Sequence, residues 1–246
     1  MKLQLQLETI PVWDGLKEDS ECFLCSLMKK AEEDGIRYYL SSAVMTPEVR
    51  VEMNRYGFCP HHSALLAEGG KPQSLALAMD TYYDENKKVF TPHIENVLKA
   101  GNARKTMKAA EALFEAAHER EKGCLVCARM DERLLRYAYT IASLWNTDMD
   151  FRKALEDSKG FCLHHTEALI RTAEKALSGD DLAAFCKSMV TLLQKNLDRV
   201  QHDDWWMTQK YKSENKDKPW NGAEDAQKRA VYKLIGEGRV IDPVRK

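Results

Sequence analysis

Apolar residues recur at steps of three and four over most of the chain. Cys127, Met130, Leu134, Ala138, Ile141 and Trp145 form one such series, and Leu24, Leu27, Met28 and Ala31 form another. That period predicts amphipathic helices, each with one buried stripe. Thr46-Pro47 reads as an N-cap followed by proline in the first turn, and Asp148 takes the N-cap part later in the chain. Gly57 and Gly160 read as helix C-caps. Cys59-Pro60 opens a further helix. Ser178–Asp181 opens a long one through Leu182, Phe185, Met189, Leu193 and Val200. Thr91-Pro92 and Gly101-Asn102 are expected to divide the intervening stretch into separate helices, one of them over 103–120.

Two places depart from the helical period. Leu3, Leu5 and Leu7 alternate with polar residues, so residues 1–16 are expected to form a short extended N-terminal arm. Residues 212–222 are polar and broken by Pro219 and Gly222, which predicts a linker. A C-terminal helix over roughly 223–235 is expected to pack through Val231, Leu234 and Ile235. With no alternation of strands and helices anywhere, the predicted class is all-α.

Superimposed on this pattern is a duplication. Cys22-Phe-Leu-Cys25 is followed by Gly57-Phe58-Cys59-Pro60-His61-His62. Cys124-Leu-Val-Cys127 is followed by Gly160-Phe161-Cys162-Leu163-His164-His165. Between the second and third cysteines lie 33 residues in the first copy and 34 in the second. The expected organisation is therefore two tandem helical repeats, 17–120 and 121–211, with 212–246 as linker and C-terminal helix.

Cysteine and histidine in this number are the ligands of a closed tetrahedral site, and three cysteines with one histidine is a standard set for Zn²⁺. Cys22 and Cys25 are three apart at a helix start, as are Cys59 and His62 in the first turn of another, so each pair shares a helix face. Helix N-termini favour the thiolate. Residues two after the cysteine point off that face, so His62 and His165 are the expected ligands rather than His61 and His164. The equal spacing in both copies predicts two sites, each within its own repeat: Cys22, Cys25, Cys59 and His62, then Cys124, Cys127, Cys162 and His165. The rival arrangement crosses the repeats, with Cys22 and Cys25 meeting Cys162 and His165. Two zinc ions per chain are expected, with [4Fe–4S] clusters as the alternative, since clusters also use cysteine thiolates. Cys186 reads as a core residue of the long helix, and Trp205-Trp206 as a pair capping a helical core.

Charge narrows the functional classes. Lys+Arg is 37 against Asp+Glu 38, a net charge of −1. Each Zn²⁺ with three thiolates adds about −1 more, which argues against nucleic acid as a partner. No apolar run spans a membrane and no export signal precedes the first helix, so a cytoplasmic protein is expected, with its cysteines reduced. No phosphate loop, HExxH or serine nucleophile elbow is present, so no catalytic residue is assigned.

The CFLC…GFCPHH and CLVC…GFCLHH motifs resemble those of an uncharacterised family of bacterial helical proteins, over roughly residues 20–200. Its pattern is a CxxC at the head of a helix, a spacer, and G-[FLY]-C-x-x-H. Some members carry a transporter substrate-binding label, which the lack of an export signal here does not support. The resemblance implies a metal-binding helical fold and no particular reaction. The expected role is an interaction or regulatory module with a protein partner of unknown identity. The competing expectation is an iron–sulfur protein in electron transfer or redox sensing.

Overall fold

The computed structural model describes residues 8–237. Among them the chain is helical throughout, with no strand. The helices are α1 (Thr9–Lys17), α2 (Phe23–Tyr39), α3 (Pro47–Tyr56), α4 (Pro60–Glu68), α5 (Pro72–Leu98), α6 (Ala103–Glu121), α7 (Leu125–Thr147), α8 (Met149–Asp157), α9 (Leu163–Ala173), α10 (Gly179–Lys210) and α11 (Ala226–Ile235). Two short 3-10 turns, Ser42–Met45 and Ser213–Asn215, join neighbouring helices. No helix among the described residues is long and apolar enough to cross a membrane.

The chain forms two compact units whose boundaries differ from the expected tandem repeats. One unit joins the residues up to Lys30 to those from Asp131 onward; the other is the continuous stretch Ala31–Met130. Helices α2 and α7 both run across a boundary, which explains the departure. A division drawn through the connecting loops is impossible when the connections are themselves helices.

In the discontinuous unit, Trp145, Phe151, Leu155, Leu169, Phe185 and Met189 are essentially inaccessible and form the core. Trp145 packs edge-on against Phe185 at 5.3 Å between centroids, and Arg152 stacks over the same indole at 4.0 Å. The stripe expected on α7 is met in this unit by Ala138, Ile141 and Trp145. In the continuous unit, α5 and α6 pair as a long antiparallel hairpin, with α3 and α4 against α5.

Several local expectations are corrected. Leu3, Leu5 and Leu7 lie outside the described residues. The rest of the expected arm is helical: α1 buries Val12, sets Trp13 against Phe151 at 5.2 Å, and is tied down where Glu8 N–H donates to Thr140 Oγ1 at 2.9 Å. Pro11 sits in the first turn, where its missing N–H costs nothing. Pro92 does not break α5. It lies on an exposed face together with Lys88, so the carbonyl it frees faces solvent rather than the core. Gly160 is not the cap of α8, which ends at Asp157 with Ser158 as its cap residue. The C-terminal helix turns its apolar residues outward: Val231, Leu234 and Ile235 are exposed, while Lys233 is completely buried.

Gly57 and Gly160 hold φ of +63° and +68°, a region costly to any residue with a Cβ. At Gly57 a Cβ would also lie 2.7 Å from Tyr82 Oη. Gly57→Ala should cost about 1–2 kcal/mol, plus the displacement of Tyr82. Gly70→Ala, at φ +67° with open space around it, should cost less. Chemical denaturation of the two variants beside the parent measures the difference.

Candidate metal centres

Four helices begin at the candidate ligands. Cys59 is the N-cap residue of α4 and Cys162 that of α9, both with extended backbone, φ −69° and −71°. Cys22 and Cys124 directly precede α2 and α7, so Cys25 and Cys127 fall in the first turns. In each GFC triplet the glycine's positive φ turns the chain sharply before the cysteine. The phenylalanine after it then anchors the turn. Phe161 packs on Phe23 at 4.8 Å, and Phe58 on Tyr39 at 5.2 Å.

These starts converge in pairs, and the pairing is the crossed one. Cys22, Cys25, Cys162 and His165 form one set, wholly within the discontinuous unit. Cys59, His62, Cys124 and Cys127 form the other, wholly within the continuous unit. In each set the four ligand atoms all lie within 4.8 Å of one another. The expectation of within-repeat sites is therefore overturned, while all eight residues are brought together as expected. The reason is helix length. Beyond Cys127, α7 continues for 20 residues, about 30 Å, whereas α8 returns only nine, about 14 Å. Each CxxC pair is carried away from the GFCxxH motif that follows it in sequence.

At the first set, His165 Nδ1 stands 3.3 Å from Cys22 Sγ and 3.4 Å from both Cys25 Sγ and Cys162 Sγ. All four side chains are buried. The second set repeats the geometry: His62 Nδ1 lies 3.1, 3.2 and 3.3 Å from the sulfurs of Cys59, Cys124 and Cys127. Here the three cysteines are only half-buried. His164 is exposed and outside both sets, and Cys186 is half-buried and likewise outside both.

The electrostatics single out one thiolate per set. Hydrogen bonds from Cys22 and Cys25 drive the Cys162 thiol far below its ordinary value, and a hydrogen bond from Cys127 lowers Cys124 to about 3. The neighbours move the other way: its hydrogen bond with Cys162 raises Cys25 to about 12, and burial raises Cys22. Three thiols packed together share one charge until a cation arrives to take all three as thiolates. The donor set, its spacing and its burial therefore fit a metal ion.

Supporting residues not marked by the sequence complete each set. Glu32 on α2 accepts from His62 Nε2 at 3.1 Å and from His61 Nε2 at 2.7 Å. That contact fixes the His62 ring with Nδ1 toward the sulfurs. Burial lowers the His62 pKa, but Cys124 and Glu32 outweigh it and carry it up to about 10. In the first set the support is cationic. Lys233 donates to Glu21 O and Lys159 O and pairs with the Glu21 carboxylate at 3.2 Å, beside the Cys22 loop. Glu237 N–H donates to Cys25 Sγ at 3.4 Å. No spacing rule links residues 32 or 233 to the cysteines. The one signal was the lysine at the centre of an otherwise apolar stretch of α11.

Of the remaining residues noted in the sequence, Trp205 is half exposed rather than capping a core, and Trp206 Nε1 donates to Pro219 O at 3.2 Å.

In comparison with known proteins, residues 1–240 match the model of a Family of unknown function (DUF6062). No curated protein and no solved structure matches the chain.

Lys233→Ala removes one cation from the buried Glu21 carboxylate, which keeps Arg199 at 2.5 Å, and leaves two carbonyls without a donor. A loss of about 1–3 kcal/mol is expected, as for buried acceptors left unsatisfied. Lys228→Ala on the exposed face of the same helix should change stability little. Denaturation midpoints of the two variants test this.

Proposed function

The chain belongs to that family of unknown function, and within it we propose that this protein is a two-zinc helical scaffold whose ions are structural, serving as an interaction or regulatory module. The observation that carries the reading is the ligand spacing. Zn–S bonds of about 2.3 Å and Zn–N bonds of about 2.0–2.1 Å in a tetrahedron put ligand atoms roughly 3.5–3.8 Å apart. Sulfur pairs here stand 3.9 Å apart, Cys25–Cys162 and Cys59–Cys127, with the imidazole nitrogens slightly closer to the sulfurs. A multi-iron cluster spreads its cysteines over separate irons at the corners of a cage. Its ligands need more room than sets contained within 4.8 Å provide.

Four protein ligands close each site, which favours a structural ion over a catalytic one that keeps an open position. When bound, the ion supplies positive charge to three thiolates. The chain's own residues do the rest: Glu32 orients His62, the Cys59 and Cys162 caps aim sulfur at the site, and Lys233 and Glu21 hold the loop carrying Cys22. Reduced cysteines in this role suit a cytoplasmic protein, and the near-neutral charge suits a protein partner better than nucleic acid.

Elemental analysis of protein purified without oxygen should give two zinc ions per chain in a colourless solution. Iron with visible absorbance would overturn the zinc reading in favour of clusters. The crossed pairing has its own signature in double variants. Cys59→Ser and Cys124→Ser should each remove one ion, and their combination no more than one. Cys22→Ser with Cys59→Ser should remove both. Because ligand binding and folding are coupled, each single variant should also lower the melting temperature. His61→Ala should retain both ions.

A further inference from the structure

Helix α6 carries a charge pattern that its own helix does not explain. Arg104 and Lys108, four apart, repel each other, as do Glu111 and Glu115, and Glu115 and Glu119. Lys108 and Glu111, where the two blocks meet, are the exception. The positive block lies at the helix N-terminus, whose first turn holds no acidic residue, so the macrodipole disfavours it as well. The neighbouring helix α5 is built in the opposite way, with Lys88–Glu85 and Lys99–Glu95 pairs along its surface.

The same helix leaves an apolar stripe uncovered. Arg120 reaches α5 through Asn86 Oδ1 at 2.9 Å and the Tyr82 ring at 5.3 Å, so the face carrying Arg120, Leu113 and Thr106 is the one turned to α5. Met107 and Phe114 sit one residue further on, roughly 100° around the helix and seven apart. They are 62% and 60% exposed. No residue of α6 is fully buried.

We propose that this face binds a second copy of the chain, α6 against α6, antiparallel about a two-fold axis near residues 110 and 111. Such an axis sets Met107 against Phe114 of the second copy and the reverse, as an isologous contact requires. The same register places Glu115 opposite the gap between Arg104 and Lys108 of the second copy, twice. The repulsion along each helix becomes attraction across the pair. Glu111 meets its own copy near the axis, the one unfavourable juxtaposition. The contact runs the length of α6, about 28 Å, which is small for a permanent dimer and suits a reversible one.

Sedimentation of the full-length, metal-replete chain from about 1 to 100 µM, the range of a weak interface, tests the proposal. A monomer–dimer equilibrium is expected. Phe114→Glu should abolish it with helicity unchanged by circular dichroism. Glu115→Lys alone, and Arg104→Glu with Lys108→Glu in another chain, should each weaken association on the order of tenfold. An equimolar mixture of those two variants should restore the dimer, because each then offers the charge the other lacks. Glu111→Gln should strengthen it. A chain that stays monomeric throughout overturns the proposal. A dimer indifferent to these changes, or no recovery on mixing, overturns it equally.

Discussion

The fold depends on bringing the positive ends of two helices together twice. Amide groups at a helix start have no partner within the helix, and two such ends repel when they converge. Here each meeting point is filled with sulfur, of which one atom per set is already held as thiolate by its neighbours. A cation bound there would reconcile the thiolates with one another while the thiolates reconcile the helix ends. Remove any member and the remainder oppose each other, which is why these junctions hold α2 to α9 and α4 to α7.

The two junctions solve the same problem in different surroundings. The set containing His165 is sealed, and beside its Cys22 loop stands a lysine that has no solvent contact. That lysine is held by two carbonyls and a carboxylate, so it is desolvated only at the cost of fixed partners. The set containing His62 leaves its cysteines half open and takes an acid instead, Glu32, which makes the imidazole a better donor of electrons to an ion. One junction is insulated and the other is tuned.

The residues of the sites were legible in the sequence because cysteine and histidine at helix starts have few other uses in such spacing. The i, i+3 rule points to His62 and His165, which do lie beside the cysteine sulfurs, while His61 meets Glu32 and His164 is exposed. The pairing was not legible. Two copies with the same spacing satisfy either arrangement equally, and only the unequal lengths of α7 and α8 break the tie. Periodicity found α7 and α10 but missed α1, where Pro11 and the alternation just upstream obscured a single turn of apolar residues. It also misjudged α11, because an apolar stripe is normally the buried one and nothing local announces that a lysine has a carboxylate waiting at Glu21.

The discontinuous unit has a consequence for how the chain is made. The continuous unit has all its ligands once Cys127 has been synthesised. The Cys22–Cys25 pair has to wait for Cys162 and His165, about 140 residues later in the chain. At roughly 5–20 residues per second that is an interval of about 7–28 s. During it the start of α2 presents two thiols without the cysteine and histidine they meet in the fold. On the two-ion reading, the order of loading would follow the order of synthesis: the inner segment would close on its ion first, and the amino-terminal pair would be completed last, once Cys162 and His165 emerge.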